Sequence, residues 1–148
     1  MIVTTSNILL GRSPIVTTGA SSDSAANLSD PDFSTIYRSS DSLRLTYQYV
    51  GSIGVINYVA VAGINIGAGA FDNPVESSRV RVYDNDTLIK TVNVIRNNCV
   101  VLYFEARSFS ILKVGLKNSD NINPICTFTS AGLAFEVPNG GEQAGDNR

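Results

Sequence analysis

The sequence of 148 residues contains no histidine, which removes the side chain that most often serves as a general base, a proton shuttle or a metal ligand. It also lacks any GxSxG, Walker or CxxC motif. Gly63, Gly67 and Gly69 are not followed by the helical pattern that a phosphate-binding loop needs. We therefore expect no enzymatic activity, because these residues supply no set of acid, base and nucleophile.

Charged residues are scarce, at 16% of the chain, and the formal net charge is −2. A chain with this balance has no general field that attracts phosphate backbones, so we expect no nucleic-acid partner. No apolar run reaches the roughly 18 residues of a membrane-spanning helix, so no membrane partner is expected. The first twelve residues lack the basic start and the long apolar core of a signal peptide, so we expect them to stay in the mature protein.

Cysteine is limited to Cys99 and Cys126, and both lie in apolar, strand-like segments. One interpretation is a disulfide between them, and the other is two buried free thiols. Two cysteines do not make a disulfide framework in a chain of this length, and cysteine packs in cores as a small hydrophobic residue. We predict buried free thiols, which agrees with synthesis in a cytoplasm.

The most informative segment that is present is residues 20–39, which is too polar for a strand and too long for a turn. Its Ser, Asn and Asp side chains are suited to bonding nearby backbone groups. Its four apolar side chains, Leu28, Phe33, Ile36 and Tyr37, need something to pack against. The alternatives are an ordered loop across the end of a β-sandwich and a mobile linker. We predict the ordered loop.

Alternation of apolar and polar residues predicts β-strands along the rest of the chain. The alternation is strict at residues 43–49 and 79–83, and the uncharged run 55–66 predicts a central strand. Residues 84–86 predict a hairpin turn, because Asn85 tolerates the positive φ of such turns. Further strands are predicted at residues 7–10, 14–18, 87–95, 99–105, 109–116 and 125–137. Residues 14–18 are expected at a sheet edge because they begin with Pro14.

These seven or eight strands predict an all-β fold, an antiparallel β-sandwich of the jelly-roll type. Residues 1–138 are expected to form this single domain, and residues 139–148 a polar C-terminal tail that is disordered or docked on a partner. The predicted core consists of Leu45, Tyr47, Val59, Val61, Val80, Val82, Leu102, Phe104, Ile111, Leu133 and Phe135.

A series of short motifs runs through the chain in order. The motifs are Asn7-Ile8-Leu9-Leu10, Ala20-Ser21-Ser22, Ala26-Asn27-Leu28-x-Asp30-Pro31, Tyr37-Arg38-Ser39, the strand from Val55 to Asn65, the strand from Ala106-Arg107 to Val114, and the closing Gly132, Ala134, Glu136, Pro138 and Gly140. Together they resemble the galactose-binding-like, discoidin-type jelly-roll modules of tailed-bacteriophage virion proteins. Tyr37 stands where members of this family often have tryptophan, and it keeps the aromatic role.

The resemblance implies a structural protein of a tailed-phage virion, either tail-associated or capsid-decorating, that is made in the host cytoplasm. Such a protein works through contacts with other virion proteins and is present as a symmetric homo-oligomer. A low-charge surface rich in Ser, Thr and Asn suits extensive polar contacts of this kind. The alternative function is a carbohydrate-binding module that attaches the particle to glycans of the host surface.

Two sites are predicted around residues 20–39. The resemblance implies a structural calcium, for which the oxygen ligands would be Asp23, Asp30, Asp32 and Glu136. The alternative is that these acids cap turns and face solvent. A glycan site would use Phe33, Tyr37, Arg38 and Phe71, with Tyr103 as a further aromatic residue, and the alternative is that the rings belong to the core. Arg38 is expected to pair with an acid of the same loop.

Overall fold

The computed structural model describes residues 1–32, 34–66, 78–94, 99–118 and 122–136. These residues form twelve β-strands and one 3-10 helix, Ala25–Ser29. The strands are β1 (Ile2–Thr4), β2 (Ile15–Thr18), β3 (Tyr37–Arg38), β4 (Arg44–Val50), β5 (Val55–Ala62), β6 (Arg79–Asp84), β7 (Thr87–Asn93), β8 (Val100–Ser108), β9 (Ile111–Lys117), β10 (Ile125–Cys126), β11 (Phe128–Gly132) and β12 (Ala134–Glu136). No helix in this part of the chain is long and apolar enough to cross a membrane.

Eight of the strands form two antiparallel sheets. The five-stranded sheet has the order β2-β4-β9-β6-β7, and the three-stranded sheet has the order β11-β5-β8. Two short ribbons, β1 with β12 and β3 with β10, lie outside these sheets. The predicted antiparallel β-sandwich is confirmed. As predicted, β2 is an edge strand, and β5 is the central strand of its sheet.

The core lies between the two sheets, and alternation decides which side chains enter it. In β4 the buried side chains are Leu45, Tyr47 and Tyr49, while the residues between them point outward. The central strand β5 buries Val59 and Val61. The predicted core residues that are fully buried are Leu45, Tyr47, Val59, Val61, Val80, Val82 and Leu102. The hydrophobic pattern therefore identified the inward face of β4, β5, β6 and β8. For β9 the predicted residue, Ile111, was on the wrong face, because the side chains that pack inward there are Leu112, Val114 and Leu116.

Polar contacts inside the core connect the tyrosines of β4 to other elements. The Tyr47 hydroxyl lies 2.6 Å from the Thr129 hydroxyl on β11, which links the two sheets. The Tyr49 hydroxyl lies 2.6 Å from the hydroxyl of Ser29 in the 3-10 helix. Burial raises the pKa of both tyrosines, because a phenolate in this apolar setting would lose its hydration.

Residues 20–39 are held against the sandwich as an ordered loop, in agreement with the prediction. Leu28, in the 3-10 helix, and Tyr37, in β3, are both buried. The Tyr37 hydroxyl accepts a hydrogen bond of 2.8 Å from the Ser21 backbone N–H, which closes the loop on itself. Ile36 was also expected to pack inward, but it is 37% exposed. Phe33, the fourth apolar residue, lies outside the described residues.

Two predicted strands are different in the structure. Residues 7–10 form turns, and the Asn7 side chain accepts a hydrogen bond of 3.0 Å from the Leu9 backbone N–H, a local bond that replaces strand pairing. Residues 125–137 were predicted as one strand, but the described part divides into β10, β11 and β12. Each of these pairs with a different partner, namely β3, β5 and β1.

Several side chains predicted in the core are not fully buried. Phe135 is 53% exposed because β12 pairs with β1 outside the two main sheets. Phe104, Ile111 and Leu133 are only half-buried. Both cysteines are free thiols as predicted, and Cys126 is buried, but Cys99 is exposed immediately before β8 begins. The turn at residues 84–86 forms as predicted, with φ of 55° at Asn85.

Candidate functional site

The acidic residues of the loop at 20–39 bond backbone groups close to them. Asp23 Oδ2 accepts a hydrogen bond of 2.9 Å from the Arg38 backbone N–H. Asp30 Oδ1 accepts one of 2.9 Å from the Asp32 backbone N–H, and Asp32 in turn accepts one of 2.9 Å from Ser34. The bonds from Ser34 lower the pKa of Asp32. These contacts are the ones expected when the acids cap turns.

The fourth predicted calcium ligand, Glu136, lies on β12. In the described part of the chain, no three His, Cys, Asp or Glu side chains come close enough to hold a metal ion together. Backbone carbonyls also bind calcium, so the predicted site is not tested by side chains alone. Turn capping therefore stays the prediction for these acids, with no cofactor expected, and the structural calcium stays the untested alternative that the resemblance implies.

The predicted glycan residues are only partly described. The Tyr37 ring is buried, and its hydroxyl is used within the loop. Arg38 is exposed and contacts Asp23 through its backbone, whereas the expected partner was an acid for its guanidinium. Phe33 and Phe71 lie outside the described residues. Within the described residues, the loop therefore presents a cation but no open aromatic ring.

An exposed aromatic surface is found elsewhere, where β1, β8 and β12 meet. We call it the aromatic shelf, and it consists of Ile2, Tyr103, Ala134, Phe135 and Glu136. The Tyr103 side chain is 46% exposed and the Phe135 side chain 53% exposed. The shelf encloses about 220 Å³, and Glu136 is part of its lining. It combines open aromatic rings with a hydrogen-bond acceptor, as a sugar-binding surface requires.

The shelf is held in place by paired backbones. Tyr103 stands opposite Tyr58 in the ladder between β5 and β8, and Phe135 stands opposite Val3 in the ribbon of β1 and β12. The Asn57 side chain donates to the Ala134 carbonyl at 2.9 Å and accepts from the Ala134 N–H at 2.7 Å. This double contact fixes the short strand β12 to β5, so the shelf is preorganised rather than formed by a free segment.

The outer face of the five-stranded sheet carries a second open surface, a groove of about 410 Å³. We call it the cationic groove. Its lining residues are Arg44, Thr46, Arg79, Arg81, Tyr83, Asp86, Lys113, Gly115, Leu116 and Lys117. Five of the eleven Lys and Arg residues of the chain are in this lining, against one acid. The groove therefore concentrates positive charge on a protein whose net charge is negative.

Strand register builds the groove from rows that cross β4, β9 and β6. The three rows are Arg44–Lys117–Arg79, Thr46–Gly115–Arg81 and Gln48–Lys113–Tyr83. Gly115 occupies the middle of the central row, where the missing side chain leaves the floor of the groove open. A Cβ atom at this position would lie 3.7 Å from the Tyr83 ring and 3.8 Å from the Thr46 hydroxyl, which are ordinary van der Waals distances, so a methyl group would fit there in contact with both neighbours.

The cations of the groove are mostly without counter-charges. Lys113 Nζ lies 3.0 Å from Asp86 Oδ1 and 5.8 Å from the centre of the Tyr83 ring. Among the described residues, no acid forms an ion pair with any of the other four cations. The Nε atoms of Arg79 and Arg81 are buried and have no hydrogen-bond partner in that part of the chain.

Sequence reasoning found part of these surfaces. Tyr103 was recognised as an aromatic residue suited to a glycan, but Phe135 was placed in the core. The alternation of residues 79–83 did indicate that Arg79 and Arg81 share a face with Tyr83. The groove was missed because Arg44 and Lys117 join that face only through pairing between strands that are distant in sequence.

No protein-family model matches the chain, and no curated protein matches it in sequence. Solved structures match its fold. Chitosan-binding module 1 of the chitosanase/glucanase from Paenibacillus sp. IK-5 has a TM-score of 0.64 and 12% identity, over 86% of this chain and 98% of that one. The lectin domain of lectinolysin complexed with Lewis B antigen has a TM-score of 0.61 and 15% identity, over 92% and 100%.

A fucose-binding module of Streptococcus pneumoniae also matches, with a TM-score of 0.57 and 13% identity, over 86% of this chain and 94% of that one. At such identities the likeness shows the fold and nothing finer. The comparisons give no link to a phage particle, so the virion role stays a prediction. The chain has the galactose-binding-like β-sandwich fold that these carbohydrate-binding and lectin modules share.

Proposed function

We propose that this chain is a non-catalytic carbohydrate-binding module and that its aromatic shelf holds the sugar. The observation that carries the proposal is the pair of exposed aromatic residues, Tyr103 and Phe135, which line one cavity together with Glu136. The fold shared with a chitosan-binding module, a lectin domain and a fucose-binding module supports it. The function is the one that the sequence offered as the alternative to a virion scaffold.

The chemistry of the shelf suits a sugar ring. Aromatic rings offer a large flat apolar area, on which the C–H face of a pyranose can pack. The Glu136 carboxylate accepts hydrogen bonds from sugar hydroxyls, and charged acceptors form the stronger hydrogen bonds. At about 220 Å³ the shelf is smaller than the roughly 300–1,000 Å³ of a drug-sized ligand pocket, so it suits one sugar ring at a chain end.

The test is a titration of the full chain with a panel of neutral oligosaccharides that carry terminal fucose, galactose or N-acetylglucosamine, measured by isothermal titration calorimetry. We expect at least one of these sugars to bind. Tyr103→Ala and Phe135→Ala should each weaken binding by about tenfold, since an aromatic contact contributes about 0.5–1.5 kcal/mol beyond the area that it buries.

The matched control is Leu88→Ala, which removes an exposed apolar side chain on β7 and should leave the affinity unchanged. The proposal fails if no sugar of the panel binds. It also fails if a sugar binds and neither aromatic substitution weakens it. Unchanged melting curves of the variants would show that the fold is intact, because both side chains are half-exposed.

Exposed aliphatic residues on β1 favour a second function, contact with another protein chain. Val3 is 44% exposed and stands opposite Phe135, so the shelf, which itself includes the 57% exposed Ile2, is continuous with further aliphatic surface. Such apolar patches favour protein contacts, and here they support the proposed virion scaffold and its homo-oligomer. Sedimentation of the full chain tests this, because a self-associating protein should become monomeric on Ile2→Asp substitution.

A further inference from the structure

Two arginines of the cationic groove have hydrogen-bond donors that the described part of the protein does not use. Arg79 and Arg81 are half-buried, and each keeps a buried Nε–H group without a partner among the described residues. A buried donor without a hydrogen bond is unfavourable, and native structures rarely leave one. Both residues remain partly exposed, so an acceptor that enters the groove can meet the outer part of each guanidinium, which also carries N–H donors.

The distribution of positive charge in the groove also favours a bound anion. Arg44, Lys117 and Arg79 stand directly opposite one another on three adjacent strands. Neighbouring strands lie about 4.8 Å apart, so the row spans roughly 10 Å. Like charges at such positions repel each other, and no acid among the described residues pairs with these three. A bound anion would relieve this repulsion.

We propose that the cationic groove binds an acidic polysaccharide, a chain of sugars that carry carboxylates, as a site separate from the aromatic shelf. Arginine presents its donors in a planar fork that matches a carboxylate in a bidentate way. Thr46 and Tyr83 add hydroxyl groups, which suit the sugar hydroxyls between the charges. Because Gly115 has no side chain, nothing from β9 projects into the centre of the groove between Thr46 and Tyr83.

A polysaccharide fits these features better than nucleic acid or a small anion. A nucleic-acid-binding domain is normally strongly basic, whereas this chain has a net charge of −2 and an acid, Asp86, in the groove lining. A free phosphate or sulfate would need donors that converge on one point. The groove instead distributes its cations over β4, β9 and β6, which matches charges repeated along a chain.

The experiment measures binding of the full chain to polygalacturonate oligomers by isothermal titration calorimetry at low salt. Probes of contrasting charge are neutral dextran, cationic chitosan oligomers and a single-stranded DNA of matched charge. We expect polygalacturonate to bind, and dextran and chitosan not to bind. The double substitution Arg79→Gln and Arg81→Gln should weaken binding at least tenfold. Gly115→Val should weaken it to a similar extent, because it fills the groove without changing the charge.

The matched control removes two cations elsewhere, by Arg12→Gln and Lys90→Gln, and should change the affinity less than twofold. Melting curves establish that each variant is folded, and the glycine and arginine variants test the same groove by independent means. The proposal is overturned if polygalacturonate does not bind, if the control weakens binding as much as the groove variants, or if the DNA binds as tightly as polygalacturonate. Substitutions at Tyr103 should leave polygalacturonate binding unchanged, so failure of the groove and failure of the shelf can be told apart.

Discussion

The aromatic shelf and the cationic groove lie on different sheets of one sandwich and are built in different ways. The shelf depends on two short strands, β1 and β12, and presents rings of which about half the area is open. The groove depends on three long paired strands and presents five cations, of which Lys113 alone forms an ion pair among the described residues. The first surface is suited to packing, and the second to charge. The comparison teaches that one small fold can separate two binding chemistries by assigning them to different outer faces.

The largest effect is expected at the end of β5, the strand to which the aromatic shelf is fixed and to which no residue of the cationic groove belongs. Gly63 follows β5 with φ of +65°, and a Cβ there would overlap the Thr127 side chain, whose hydroxyl donates to the Gly63 carbonyl at 3.0 Å. Gly63→Ala should cost about 3 kcal/mol through backbone strain and overpacking. The melting temperature should fall by roughly 6–12 °C. Calorimetric melting measures this change. An unchanged midpoint would show that the backbone at Gly63 and the Thr127 side chain can adjust to the added methyl group without loss of stability.

The second largest effect is expected from salt, which should weaken binding at the groove much more than binding at the shelf. Raising the ionic strength from about 0.1 M to 1 M shortens the Debye length from about 10 Å to 3 Å. We expect groove binding of polygalacturonate to weaken at least about tenfold, while sugar binding on the shelf changes less than about twofold, because packing on a ring is not screened. Titrations at the two salt concentrations measure this. Equal salt dependence would contradict the separation.

Asp84 ties the strand that carries the groove to the strand that carries the shelf. Its carboxylate accepts from the Ser110 N–H at 3.0 Å and from the Ser110 hydroxyl at 2.9 Å, and pairs with Arg107 of β8 at 2.9 Å. Burial raises the pKa of Asp84, but the bonds from Ser110 and Arg107 outweigh it, so the pKa lies below its ordinary value. The carboxylate therefore stabilises the fold above the unfolded-state pKa of about 3.9, and this is lost as pH falls through the folded value.

Asp84→Asn should accordingly lower the melting temperature by a few degrees at pH 7. The difference from the unsubstituted chain should shrink as the pH is lowered from 7 through the lowered pKa of Asp84, because the carboxyl itself then becomes protonated. Melting curves across this pH range measure the effect. Asp41→Asn, in the segment before β4, serves as a comparison, because Asp41 accepts backbone hydrogen bonds but has no ion pair among the described residues. A constant difference across the range would contradict the assignment to Asp84 charge.

A smaller effect of opposite sign is expected inside the groove. Lys117 lies between Arg44 and Arg79 in register, and like charges directly opposite each other cost up to about 1 kcal/mol. Lys117→Gln should therefore raise the melting temperature by about 1–3 °C at low salt and by less at high salt. Lys90→Gln on β7 is the control. A lower melting temperature for Lys117→Gln would indicate that the row is not repulsive.

The smallest effect is expected at the loop of residues 20–39. Its acids bond backbone N–H groups, so we expect a chelator to leave the melting temperature unchanged within about 1 °C. A bound calcium would instead stabilise the native state, and its removal would lower the midpoint by several degrees. Melting curves with and without chelator, after dialysis against calcium, distinguish the two. A clear decrease would establish the calcium that the resemblance implied.

The fold was largely predictable from the sequence because its main strands alternate. Leu45, Tyr47 and Tyr49 show the inner face of β4 without any knowledge of the partner strand. The division of residues 125–137 was not predictable, because the apolar pattern runs on while the pairing partner changes from β3 to β5 to β1. Local pattern reports which side of a strand is apolar, and it does not report which strand comes to lie beside it.

Unpredictable strand pairing also explains why the two binding surfaces were only partly found from the sequence. The placement of Phe135 in the core followed its alternation correctly but assumed that β12 joined a main sheet. The row Arg44–Lys117–Arg79 arises from register across residues far apart in the chain. The polar loop at 20–39 was correctly expected to be ordered, since its side chains carry local bonds that the sequence itself specifies.

The two buried tyrosines of β4 allow the unfolding of the protein at high pH to be followed by ultraviolet absorbance. With no tryptophan in the chain, tyrosine dominates the near-ultraviolet signal, and Tyr47 and Tyr49 have raised pKa values while buried. A phenol whose pKa is raised by folding favours the folded state below its ordinary pKa of about 10, and this support disappears as the solution becomes more alkaline. The sandwich should therefore open at high pH, and late phenolate absorbance from these two rings would report the moment at which the two sheets part.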